Sequence, residues 1–87
     1  MIPVEWDKST RDRLADLYVG ATPEEREVIA TEVERLEREL KRDPLEVGES
    51  RVPFVRVVSC GPVIFWFRVN AEATEVRIFH VSRPGDE

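Results

Sequence analysis

Residues 62–82 read PVIFWFRVNAEATEVRIFHVS, two β-type runs joined by a short polar link. Alternation in the first run puts Phe65, Phe67 and Val69 on one side and Ile64, Trp66 and Arg68 on the other. Both sides are bulky. One side is therefore expected to pack on helices, leaving the other as a surface for something else. Asn70-Ala71-Glu72-Ala73 lacks the Asn-Gly or Asp-Gly pair of a tight turn, so the link predicts a hairpin loop of roughly four or five residues. This hairpin is the scaffold for any site.

Working back from it, Cys60-Gly61-Pro62 turns the chain out of a preceding strand, Val52 to Ser59. Pro53 restricts that strand to an edge or to its first positions. Leu45 to Arg51 reads as a turn-rich linker punctuated by Pro44 and Gly48. Before it lies a helix that starts at Thr22-Pro23-Glu24-Glu25, where threonine caps, proline takes the first turn and Glu25 closes a capping box. It ends near Arg42, before Asp43-Pro44. Ile29, Val33, Leu36 and Leu40 form its apolar stripe, widened by Val28. Glu34 with Arg38 and Glu37 with Lys41 are expected i,i+4 pairs. A first helix of about ten residues is capped by Ser9-Thr10, carries Leu14, Leu17, Tyr18 and Ala21, and stops at Gly20. Ile2, Val4 and Trp6 alternate in a brief opening strand, and Pro3 keeps it at an edge. Arg83 to Glu87 reads as a polar, frayed tail.

The resulting order is β-α-α-β-β-β. It predicts an α+β domain over residues 1–87, an antiparallel sheet with a helical hairpin packed on one face.

Composition narrows the function. An 87-residue chain with 41% hydrophobic content has room for one modest core. No apolar run approaches the ~18 residues of a membrane span, and the opening residues do not read as a secretory signal. Cys60 is the only cysteine, which excludes an internal disulfide and a thiolate-rich zinc site. A cytoplasmic protein is expected. The net charge of −5 argues against a generic nucleic-acid binder. Acidity is concentrated before residue 50, with eight basic and fourteen acidic side chains, whereas residues 51–87 carry five arginines and four acids. The sheet half is thus mildly basic, and arginine is its only cation.

The element order, together with DPLEVGESR, GPVIFWFRV and EVRIFHVS, resembles the RelE/ParE superfamily of small bacterial toxins over nearly the whole chain. That resemblance implies the toxin of a type II toxin–antitoxin system, neutralised by a cognate antitoxin lying along the helices and sheet. In a RelE-like branch it implies ribosome-dependent mRNA cleavage, and in a ParE-like branch inhibition of DNA gyrase. Ile64 stands where the nucleases often carry an arginine. Of the C-terminal basic positions, Arg83 matches and Pro84 does not. A catalytically inactive interaction module of the same fold is the alternative reading, its open sheet face taking an extended peptide.

Site candidates follow from residue chemistry. Arg56, Arg68 and His80 are expected to converge on the open face. Arg68 shares that face with Trp66, and an arginine beside an indole can grip a phosphate while the ring stacks on a base. The plainer reading is an arginine stem covering the ring. His80 is the only histidine and the default acid/base group. Arg83 is either a phosphate contact or tail decoration. Arg51 serves a substrate or pins the linker to Glu46 or Glu49. Cys60 lacks a nearby base to make it a nucleophile. The carboxylates of the second helix show no metal-ligand spacing, and no cofactor motif appears. The apolar stripe is core, with a homodimer seam as its alternative.

Overall fold

The computed structural model describes residues 1–86. Its elements are β1 (Val4–Trp6), α1 (Lys8–Val19), α2 (Pro23–Arg42), a 3-10 turn (Pro44–Glu46), β2 (Glu49–Val52), β3 (Val55–Cys60), β4 (Val63–Val69) and β5 (Val76–Ser82). They build an α+β fold in which both helices pack against one five-stranded sheet of order β1-β5-β4-β3-β2.

The capping box of α2 forms as its sequence predicts. Thr22 Oγ1 accepts from the Glu25 amide (3.1 Å), and the Glu25 carboxylate accepts from the Thr22 amide (3.0 Å). Ile29, Leu36 and Leu40 are buried, Val33 packs against the core from its margin, and Val28 stays exposed. Their partners are the inward residues of β4, namely Val63, Phe65, Phe67 and Val69, with Val76, Ile78 and Val81 of β5. This inner face is the hydrophobic core, and area removed from water there is the main stabilising term. Trp6 meets Phe65 edge-on at 5.5 Å and donates its indole N–H to Glu37 (3.1 Å). Glu37 is thereby drawn away from the pairing with Lys41 that helical spacing suggests. Glu34 and Arg38 do pair, at 3.3 Å.

Several expectations are corrected. The sheet is mixed, because β1 runs parallel to β5 while the other pairings are antiparallel. The long crossover through both helices returns the chain to the far edge, which permits parallel pairing. The turn-rich linker supplies an extra strand, β2. Pro53 and Phe54 form the turn into β3 instead of opening that strand. α1 begins at Lys8 with Asp7 at its N-cap, so Ser9 and Thr10 lie inside the helix and Thr10 is buried. The hairpin loop spans residues 70–75, longer than expected. Asn70 Oδ1 accepts from the amides of Thr74 (2.8 Å) and Glu75 (2.9 Å), which organises the wider loop. Arg83 is tied down by Glu25 at 3.6 Å, and Asp86 N–H donates to Arg83 O (3.0 Å). Glu87 lies outside the described residues.

Candidate functional site

The face of the sheet away from the helices is built by the same alternation that builds the core. β4 sends Ile64, Trp66 and Arg68 outward between its buried residues. Register places Val57 of β3 and His80 of β5 on either side of Trp66, and Val55 and Arg77 on either side of Arg68.

β5 departs from strict alternation. Trp66 pairs with His80, but Phe67 pairs with Ile78, so Phe79 is an extra residue in the ladder. A bulge of this kind sets two successive side chains on one side. Ile78 and Val81 remain in the core, and Phe79 joins His80 outside. The Arg68 guanidinium lies 4.6 Å from the centre of the Phe79 ring, within the range of a cation–π contact. Trp66, Phe79 and His80 thus form an outer aromatic platform with Arg68 at one end. Val57, only 7% exposed, is buried beneath it and outside the helix-side core. The Trp66 indole N–H and the Ser82 hydroxyl are buried without a hydrogen-bond partner among the described residues.

The anticipated side chains are only partly brought together. Arg68, Trp66 and His80 share the outer face. Arg56 does not join them, which corrects the expected convergence. It is paired with inward-facing Phe67, and it donates through Nε to Val47 O (2.9 Å) and through Nη2 to Gly48 O (3.0 Å). Arg51 is the extra residue of a second bulge, in edge strand β2, and makes no ion pair with Glu46 or Glu49. Arg83 sits beyond β5, in its ion pair with Glu25. Arg77 is outward too, but it donates to Asp7 (2.7 Å) and Glu5 (3.4 Å). The Asp7 hydrogen bond, then the negative charges of Asp7 and Glu5, hold its guanidinium more firmly protonated than usual.

Phe79 was missed, although a signal existed. Val76, Ile78 and Val81 are spaced by two and then three residues, and that broken period marks the bulge. Among the described residues, no cluster of three His, Cys, Asp or Glu side chains could hold a metal ion. Cys60 faces α2, where burial, with lesser help from Glu32, pushes its thiol up to about 11. No helix is long and apolar enough to cross a membrane.

On the opposite side, β1 and the two helices enclose a cleft of about 400 Å³. Val4, Trp6, Leu14 and Val33 give it apolar walls, and Arg11, Glu37 and Lys41 complete its lining.

Neither a family model nor a curated protein matches the sequence. Solved structures are similar to it, among them the following two. One is a chain of the chromosomal ParDE TA system from P. aeruginosa, 24% identical with a TM-score of 0.65, covering 95% of this chain and 96% of that one. The other is the isolated E. coli RelE toxin, 12% identical with a TM-score of 0.65, covering 100% of this chain and 88% of that one.

Proposed function

We infer, from the RelE/ParE fold that this chain has, that it is the one-domain, cytoplasmic toxin of a toxin–antitoxin pair and acts on a protein target, as a ParE-like inhibitor of DNA gyrase. The observation that carries the choice of target is the engagement of the sheet half's arginines. Arg56 is bound to backbone carbonyls, and Arg77 and Arg83 to the chain's own carboxylates. A phosphoryl-transfer site needs positive charge left free for the transition state. The outer face offers Arg68, resting on Phe79 beside Trp66 and His80. A half-buried aromatic platform with one arginine is the composition of a protein-binding hot spot. In this reading Trp66, Phe79 and Arg68 contact the target, His80 borders that contact, and Arg56 and Arg83 brace the fold. Arg51 lies away from the contact, on the edge. The cleft between β1 and the helices takes the antitoxin, whose apolar side chains meet Val4, Leu14 and Val33.

Expression in a bacterial host without an antitoxin should arrest growth, with DNA supercoiling by gyrase impaired and ribosome-bound mRNA intact. Trp66→Ala and Arg68→Ala should relieve the arrest, and His80→Ala should relieve it less. Cleavage of mRNA within ribosome-bound codons, abolished by His80→Ala, would replace this reading with the RelE-like one. Normal growth at a good yield of folded protein would favour the inactive interaction module.

A further inference from the structure

The two edges of the sheet are finished differently. β1 is covered by α2, since Ile2 N–H donates to Lys41 O (3.1 Å) and Trp6 to Glu37. β2 is bare. All four of its residues are exposed, and it ends the sheet with no strand beyond it. Its last residue, Val52, is an exposed apolar side chain (55%). Phe54 is held at φ 70, a left-handed conformation unusual for a bulky residue. Its carbonyl accepts from Val69 N–H (2.9 Å), which fixes the turn against β4.

Charged residues on an edge strand ordinarily keep other strands away. Here the two charges have opposite sign and stand symmetrically about Ser50. Glu49 faces outward opposite Val57, and the bulge sets Arg51 outward with Val52. An antiparallel second copy centred on Ser50 lays Glu49 of each chain opposite Arg51 of the other, on the same face. Cross-strand pairs of opposite sign stabilise a sheet, and like charges destabilise it. The same two-fold axis sets Val52 of one copy across from Gly48 of the other, which has no side chain to obstruct it. The pattern is self-complementary, as an isologous contact requires.

We propose that β2 is a homodimerisation edge, joining two copies antiparallel about Ser50 into one continuous sheet. The helices then lie on one side of that sheet, and both outer aromatic platforms on the other.

Sedimentation equilibrium of the purified chain, from about 10 µM to about 1 mM, covers the range where so small a contact associates. The mean mass should rise toward that of the dimer. Glu49→Arg and Arg51→Glu each replace two attractive pairs by two repulsive ones, and each should weaken the dimer by about tenfold or more. Both sites are exposed, so circular dichroism should remain that of the parent. Mixing the two variants restores opposite charges at both pairs, and a heterodimer should form from two chains that are separately monomeric. A parent that stays monomeric throughout would overturn the proposal. So would a dimer indifferent to both substitutions, or a mixture that gives no heterodimer.

Discussion

Phe65 and Trp66 are consecutive residues on β4 that serve opposite faces of one sheet. Phe65 is sealed against α2 and Trp6, in a layer whose members are almost all apolar. Trp66 lies half-covered among Val57, Phe79 and His80, with its N–H unsatisfied and a guanidinium nearby. The inner layer is closed by apolar packing, and among its described residues the buried Thr10 hydroxyl is left without a hydrogen-bond partner. The outer layer is built just as regularly but left incomplete. Apolar surface that the chain does not cover, beside an exposed arginine, is what a binding face looks like before its partner arrives.

Substituting those two neighbours should give the largest effect and the clearest separation. Phe65→Ala removes a fully buried ring and leaves a cavity, at a cost of about 3–5 kcal/mol. In a protein of this size that is a large share of the total stability, so the urea midpoint should fall steeply. Trp66→Ala should cost roughly half as much, because one side of the indole already faces solvent. The growth arrest should respond in the reverse sense, with a folded Trp66→Ala chain losing it. Equal stability losses at the two positions would mean that the faces are not distinct.

A smaller effect should appear in alkali and would sharpen the view of the inner face as dry. Cys60 has an ordinary thiol value of 9.0 and a folded one near 11, raised chiefly by burial and then by Glu32. Between these values the unfolded chain gives up the thiol proton while the native chain keeps it. Stability must then fall as pH rises through 9 and level off near 11. The difference in urea midpoint between the parent and Cys60→Ala, measured at pH 8 and again at pH 10, isolates this group from other titrations. The parent's relative stability should drop at the higher pH. A constant difference would mean that the thiol reaches water.

How much of this was legible depended on whether the deciding contacts are local. The period of Phe65, Phe67 and Val69 specifies both faces of β4, because alternation is a property of the strand itself. The capping box at Thr22 and Glu25 is likewise contained within one helical turn. β2 escaped because Glu49-Ser50-Arg51 has no apolar alternation. It becomes a strand by pairing with β3, a tertiary cause that local propensity does not register. The parallel pairing of β1 with β5 joins Val4 to Val76, across almost the entire chain. Arg56 lies off the outer face because register sets it opposite inward-facing Phe67, a pairing between strands that the sequence of β3 alone does not specify. The outer platform was half visible, in Trp66, Arg68 and His80, while Phe79 depended on a bulge signalled only by the spacing of Ile78 and Val81.

The finest test of the contrast uses the two tryptophans. Trp6 spends its N–H on Glu37 at 3.1 Å, whereas the Trp66 N–H has no acceptor among the described residues. Phenylalanine at position 6 deletes a hydrogen bond to a carboxylate and should cost about 1.5–3 kcal/mol. Phenylalanine at position 66 deletes no bond. It removes a donor already stripped of water, and that gain of about 1–3 kcal/mol offsets the area lost with the smaller ring. Trp66→Phe should therefore leave the urea midpoint almost unchanged, and Trp6→Phe should lower it. The donor is buried out of a target's reach, so Trp66→Phe, which keeps an aromatic ring on the platform, should leave the growth arrest largely in place where Trp66→Ala removes it. A Trp66→Phe chain destabilised as much as Trp6→Phe would show that the outer indole is satisfied within the molecule, and the outer face would then be as closed as the inner one.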